Sequence, residues 1–178
     1  MKRRSVAVVG LGSVGLRLAK LLARRGAQLL VADIDERKRA EADKLGARWV
    51  PPDRALVADV DVLAPCALGG VLNEDTVPRL QAPVIAGAAN NQLADDSIAD
   101  RLAQRGILWA PDFVANAGGI INIAVEFEPG GYDPKVARRR VQGVGDTLRA
   151  IFDAAAGGIT PLTAAMELAR RRLAEPRA

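Results

Sequence analysis

Val6-Ala-Val-Val-Gly-Leu-Gly-Ser-Val-Gly15 is the stretch on which the reading of this chain turns. A short β-branched run reaches Gly10 and stops, and beyond it Leu18, Leu21 and Leu22 recur at helical spacing until Gly26. Strand, glycine turn and helix therefore follow one another, which is the context that gives G-x-G-x-x-G its meaning. Gly10 permits the tight turn, Gly12 leaves the backbone bare where a pyrophosphate must approach, and Gly15 lets the helix pack on the strand. The helix start at Ser13 and Val14 offers unpaired N–H groups and the positive end of the helix dipole to phosphates. A second apolar run, Gln28 to Ala32, ends at Asp33. A carboxylate there accepts hydrogen bonds from adenosine ribose hydroxyls and repels a 2′-phosphate, so the pattern predicts a dinucleotide site that prefers NAD to NADP. Arg37-Lys38-Arg39 just beyond can receive a phosphate, but with Glu41 and Asp43 alongside it reads more simply as a solvated helix face.

Outward from this stretch, Glu36 to Lys44 reads as a charged helix, and Trp49-Val50, Val62-Leu63, Val84-Ile85 and Ile107 to Ala110 read as short buried strands. Strands alternating with helices predict an α/β fold: a Rossmann-like, doubly wound, mostly parallel sheet with helices on both faces. From Pro134, Val136, Val141, Val144, Leu148, Ile151 and Phe152 mark a long amphipathic helix, and Gly157-Gly158 ends it. Thr160-Pro161 caps a last helix with an arginine-rich end, giving a C-terminal helical segment over about 134–175. The whole chain, 1–178, is expected to be a single dinucleotide-binding domain.

Composition narrows the function classes. The chain has 178 residues, 49% of them apolar and 26% charged, which suits a folded domain and excludes general disorder. The uncharged run Val62 to Asn73 falls short of the roughly 18 apolar residues of a membrane span. The basic start is followed by only a brief apolar run before Gly10, unlike a secretory leader, so a cytoplasmic protein is expected. With no His and the single Cys66, neither a structural zinc site nor a Ser-His or Cys-His relay can be built from this chain. The formal net charge of +4 raises nucleic acid as a partner. The basic clusters at 2–4, 37–39, 138–140 and 170–172 sit beside acids or on helices, without interleaved aromatics, so no nucleic-acid partner is expected.

Three further segments carry a resemblance: Asp61-Val-Leu-Ala-Pro-Cys-Ala-Leu-Gly-Gly-Val-Leu-Asn73, Val84-Ile-Ala-Gly-Ala-Ala-Asn-Asn-Gln-Leu93 and Trp109-Ala-Pro-Asp-Phe-Val-Ala-Asn-Ala-Gly-Gly-Ile-Ile-Asn122. With the glycine turn, they make the chain resemble the cofactor domain of the glutamate/leucine/phenylalanine/valine dehydrogenase family, nearest the leucine and phenylalanine branch. The resemblance covers essentially the whole chain. It implies reversible, NAD-linked oxidative deamination of an amino acid to a 2-oxo acid and ammonia. It also implies that Gly10, Gly12 and Gly15 hold pyrophosphate, that Asp33 with Ile34 takes the adenosine end, and that Cys66-Ala67 runs beside the adenosine half. Ala88, Asn90 and Asn116 would approach the nicotinamide end, Asn90 nearest the substrate. Taken alone, these asparagines equally fit loop turns, since Asn tolerates left-handed backbone and bonds its own main chain. Cys66 reads as a small packing residue rather than a nucleophile.

The resemblance also implies an N-terminal catalytic domain with a lysine in a G-G-G-K stretch, a second lysine and an aspartate. This sequence shows no such stretch, so the chain is expected to be inactive without a catalytic domain on another polypeptide or in a longer enzyme. Two readings stay open: the cofactor half of an amino-acid dehydrogenase, or a free-standing NAD-responsive regulatory module. The apolar segment 118–127 is expected to be covered by self-association into a homo-oligomer, by docking of the 136–152 helix, or by burial in the chain's own core.

Overall fold

In the computed structural model, which describes residues 3–175, the opening run forms β1 (Ser5–Val9). Val6, Ala7 and Val8 are all buried, so both faces of this strand are covered, as a central parallel strand requires. Its partners are β2 (Gln28–Ala32) on one side and β4 (Val62–Pro65) on the other. Beyond these lie β3 (Arg48–Trp49), β5 (Val84–Ile85) and β6 (Leu108–Trp109). The sheet order is β3-β2-β1-β4-β5-β6, and every pairing is parallel. The chain thus steps one way from β1 to β3 and the other way from β4 to β6. Right-handed crossovers then put the two sets of helices on opposite faces, which is the doubly wound Rossmann-like fold, here parallel throughout.

The connecting helices are α1 (Ser13–Arg24), α2 (Arg39–Lys44) preceded by a 3-10 turn, α3 (Pro52–Leu56) and α4 (Ser97–Gln104). Ala19 of α1 and Ala42 of α2 bury small side chains against Val6, Val8, Leu29 and Val31 of the sheet. Small residues at these points let the helices approach the strands closely, and Leu11 packs in the same cluster at no exposure. At the opposite strand ends, Asp61 accepts from the Ser5 backbone N–H and hydroxyl at 2.7 and 2.8 Å and from Arg4 at 2.7 Å. These bonds hold its carboxyl down at about 2. The α3 and α4 turns were not separable from loops in the sequence, because each is short and carries no long apolar repeat.

The chain divides into two compact units, one ending at Trp109 and one beginning at Ala110. The second is helical: α5 (Asp112–Ala115), α6 (Gly118–Glu126), α7 (Pro134–Ala155) and α8 (Pro161–Ala174). Asp133 caps α7 by accepting from Lys135 N–H at 2.7 Å, and Thr160 caps α8 by accepting from Thr163 N–H at 3.1 Å, each followed by proline at the first helical position. Ile151, Ala164 and Ala165 form the core of this unit, with Val114, Phe152 and Leu168 against them. The segment 118–127, too apolar for a helix with one wet face, is nonetheless mostly helix. Packing of α6 on α7 covers one side of it, burying Val125 and half-burying Ile121, while Ile120, Ile123 and Phe127 stay exposed. Arg138 to Arg140 and Arg170 to Arg172 lie exposed on α7 and α8; Lys2 of the first basic cluster lies outside the described residues.

Candidate dinucleotide site

Strand register builds the site. Val9 pairs with Ala32 on one side and Pro65 on the other, so the next residues, Gly10, Asp33 and Cys66, stand in one row at the C-terminal ends of β1, β2 and β4. This row lies where the strand order reverses, the crevice in which open α/β sheets bind ligands. Gly10 donates to Ala32 O and Cys66 donates to Val9 O, both at 2.7 Å, which closes the row before the chain leaves the sheet.

The three glycines differ in what surrounds them. Gly10 has φ +102°, and a Cβ there would lie 2.7 Å from the Ala67 Cβ. At Gly15 a Cβ would come within 1.9 Å of the Gly10 carbonyl oxygen and 3.0 Å of the Cys66 Cβ, so the helix can sit this close to the strand only with glycine. Nothing lies within 4 Å of a Cβ at Gly12. Its bareness faces open space in front of α1, which starts at Ser13 and Val14, both exposed, with no side chain bonded to its first N–H groups. Bare backbone, open volume and unbonded helix N–H groups together fit a pyrophosphate.

Asp33 is held by two backbone donors. Its Oδ2 accepts from Leu11 N–H at 2.6 Å and its Oδ1 from Asp35 N–H at 2.9 Å, fixing the carboxylate beside the glycine turn. Ile34, next to it, is 92% exposed and presents an apolar face. The basic run after it is partly spoken for. Arg37 donates through Nε and Nη2 to both oxygens of Asp35, at 2.8 and 3.0 Å. This fork lowers the Asp35 carboxyl, raises the Arg37 guanidinium, and leaves Arg37 poorly placed to serve a 2′-phosphate. Cys66 is half-buried; burial pushes its thiol up, with the Ala88 backbone N–H pulling the other way, so it stays a neutral packing group. Ala67 is exposed at the crevice.

The loop after β5 carries Ala88 and Asn90. Gly87 is its second residue, and a Cβ there would strike the Pro65 carbonyl oxygen at 2.1 Å. Ala89 donates to Pro65 O at 3.0 Å, and Gly70 donates to Asn91 O at 2.7 Å, so the loops after β4 and β5 are bonded to each other. Leu72 and Leu93 extend this as a parallel bridge. Asn91 is left-handed at φ +51°, a conformation asparagine tolerates, and Asn90 beside it is exposed. The first unit thus gathers Gly10 to Gly15, Asp33, Ile34, Cys66, Ala67, Ala88 and Asn90 at one end of its sheet. Asn116 ends α5 in the second unit, its N–H donating to Asp112 O at 2.8 Å. Gly87, Gly69 and Gln92 also shape the loops and went unassigned in the sequence reading. For Gly87 the signal was there: a glycine two residues past the last paired residue of a strand.

Comparison with known proteins fits this geometry. The model of the glutamate/leucine/phenylalanine/valine dehydrogenase family matches residues 30–142, more than half of the chain. The chain belongs to that family. It is 48% identical over 171 residues to an L-tryptophan dehydrogenase of Nostoc punctiforme, covering 94% of this chain and 48% of that protein. It is 40% identical over 176 residues to a leucine dehydrogenase of Bacillus cereus, covering 98% of this chain and 48% of the relative, which puts it near the leucine branch. The crystal structure of L-tryptophan dehydrogenase from Nostoc punctiforme superposes with a TM-score of 0.93 at 46% identity, over 97% of this chain and 52% of that one. The chain spans about half the length of the curated relatives it matches. Among the described residues, no helix is long and apolar enough to cross a membrane.

Proposed function

We propose that this chain is the NAD-binding half of an amino-acid dehydrogenase that converts an L-amino acid reversibly to a 2-oxo acid and ammonia. The observation that carries it is the row Gly10, Asp33 and Cys66 at the reversal of strand order, with open space over Gly12 and an uncapped α1 beside it. NAD, when bound, supplies the hydride acceptor. Gly10, Gly12 and Gly15, with the helix start at Ser13 and Val14, would hold its pyrophosphate, and Asp33 with Ile34 would take the adenosine end, the carboxylate accepting from the ribose hydroxyls. Cys66 and Ala67 line the adenosine half by their backbone. Ala88 and Asn90 would serve the nicotinamide end, and the family resemblance assigns Asn116 to that end as well. An asparagine amide carries donor and acceptor together, so it orients a carboxamide or a substrate carboxylate without moving a proton. The acid and base groups come from the part of the family's length that this chain does not span, and the chain alone is inactive. A cytoplasmic homo-oligomer completes the reading, with the exposed Ile120, Ile123 and Phe127 side of α6 as its contact surface.

Calorimetry with NAD and NADP tests the cofactor. NAD is expected to bind the tighter, and equal affinity rules out the role given to Asp33. Amino-acid-dependent reduction of NAD by the chain alone, near the ordinary rate of about 10 per second, rules out the division of labour. A rate that appears only when a separately expressed catalytic half is added supports it, whereas a regulatory module gains none. Sedimentation of wild type beside Ile120→Asp and Phe127→Asp checks the contact surface, and a wild-type monomer at all concentrations rules that part out.

A further inference from the structure

Among the described residues, Gln92 is the one uncharged polar side chain in the core of the first unit, with no exposure at all. A buried amide is retained at a cost unless its donor and acceptor are both used. Here they are used in a particular way. Its Nε2 donates to the Ala89 carbonyl oxygen at 3.1 Å, and its Oε1 accepts from the Trp109 indole Nε1 at 3.2 Å. The first bond closes a small ring over Ala89, Asn90, Asn91 and Gln92, so Asn90 is held in a bend whose two ends are joined by the amide. The second bond fastens that ring to β6, where Trp109 is 3% exposed and paired with Ile85. The main chain on either side of Asn90 is also tied down: Ala89 N–H donates to Pro65 O, Asn91 O accepts from Gly70 N–H, and Gln92 O accepts from Leu72 N–H at 3.0 Å. A Cβ at Gly69 would meet both the Asn90 and the Asn91 carbonyl oxygens at 2.8 Å, so the two loops are packed with no slack. Of all these ties, only the amide is made by a side chain whose replacement leaves the backbone bonds in place.

We infer that Gln92 is a positioning residue that fixes the Ala88 to Asn91 bend, and thereby sets how well this chain holds the nicotinamide end of the dinucleotide, while leaving the adenosine end untouched. The inference rests on the NAD reading above. Its physical basis is where the ties run: Gly10 to Gly15 and Asp33 hold their places through β1, β2 and α1, whereas the Gln92 amide joins Ala89 to Trp109. The two halves of the ligand therefore respond separately to a change at Gln92, which a general loss of folding does not produce.

The test compares NAD with ADP-ribose, which lacks the nicotinamide, by calorimetry on wild type and Gln92→Met. Methionine fills the same length with no donor and only a weak sulfur acceptor. The expected result is an NAD affinity about tenfold weaker with ADP-ribose affinity within about twofold of wild type. Should Gln92→Met fail to fold, Trp109→Phe removes the indole donor while keeping an aromatic ring in the core, and it reads the same ratio, shifting it in the same direction. Equal loss for both ligands, or an unchanged ratio, overturns the inference, as does a wild type that binds NAD and ADP-ribose equally well. A wild type that binds neither ligand overturns the NAD reading itself, so the two failures are distinct.

Discussion

Two helices of this chain begin in glycine-rich turns, and the two turns obey different constraints. At the start of α1, Gly10 and Gly15 are required by what stands next to them, a backbone carbonyl 1.9 Å from any Cβ at Gly15 and a left-handed φ at Gly10. At the start of α6, a Cβ on Gly118 would meet only the Val141 Cγ1 at 3.8 Å, and one on Gly119 would meet nothing within 4 Å. A glycine pair in the sequence therefore does not carry one meaning. The first turn is glycine because backbone must pass backbone; in the second, nothing within this unit demands it.

The largest test of that contrast is Gly15→Ala. A Cβ that meets a carbonyl oxygen forces α1 off the strand, so a stability loss of about 3 kcal/mol or more is expected in a urea titration, together with loss of NAD binding. A Gly15→Ala chain that melts like wild type would remove the steric reason given for the motif. Next in size is Asp33→Ser, expected to weaken NAD about tenfold, or ~1.4 kcal/mol, and to narrow the gap to NADP by calorimetry. This effect is chemical rather than steric, and it separates the two reasons for which the first turn is specific.

Asp61, at the far ends of the same strands, gives a pH-dependent counterpart. Its carboxyl is held at about 2, below the usual 3.8, by the Ser5 N–H first and then by Arg4 and the Ser5 hydroxyl. A depressed carboxyl stabilises the fold above its ordinary value and loses that contribution as pH falls from 3.8 toward about 2. Asp61→Asn is therefore expected to flatten the acid side of the stability profile over that interval, read by denaturant midpoints at several pH values. An unchanged profile would mean that other carboxylates dominate acid unfolding. The smallest effect is expected at Gly119→Ala, which gains up to about 0.5 kcal/mol because alanine restricts the unfolded chain more and meets no neighbour. A loss there as large as that at Gly15 would break the comparison.

What the sequence disclosed follows the same division. Val6 to Val9, the glycine turn and Gln28 to Asp33 were legible because strand, turn and helix each impose a strong local pattern, and their registers then fall into line. The long helices α7 and α8 were legible through their apolar repeats and, for α8, its Thr160-Pro161 start. The 118–127 helix was harder, since its apolar residues run around most of its circumference, and only packing on α7 shows which side is covered. Gln92 was hidden for another reason. A glutamine in a loop motif reads as solvent-exposed, and its burial depends on Trp109, seventeen positions on and in another strand.

The bond between Gln92 and Trp109 has an optical consequence. The chain has two tryptophans, Trp49 and Trp109, and they differ in surroundings: Trp49 is half-buried on the edge strand β3, and Trp109 is closed off from water with its indole N–H engaged by an amide. Trp109 should emit at the blue end and resist quenching by iodide, while Trp49 supplies the red, quenchable part. Any opening of the bend around Asn90 that frees the indole N–H would move the blue component toward longer wavelength. The protein therefore carries its own fluorescent gauge of that loop, readable without a label and without turnover.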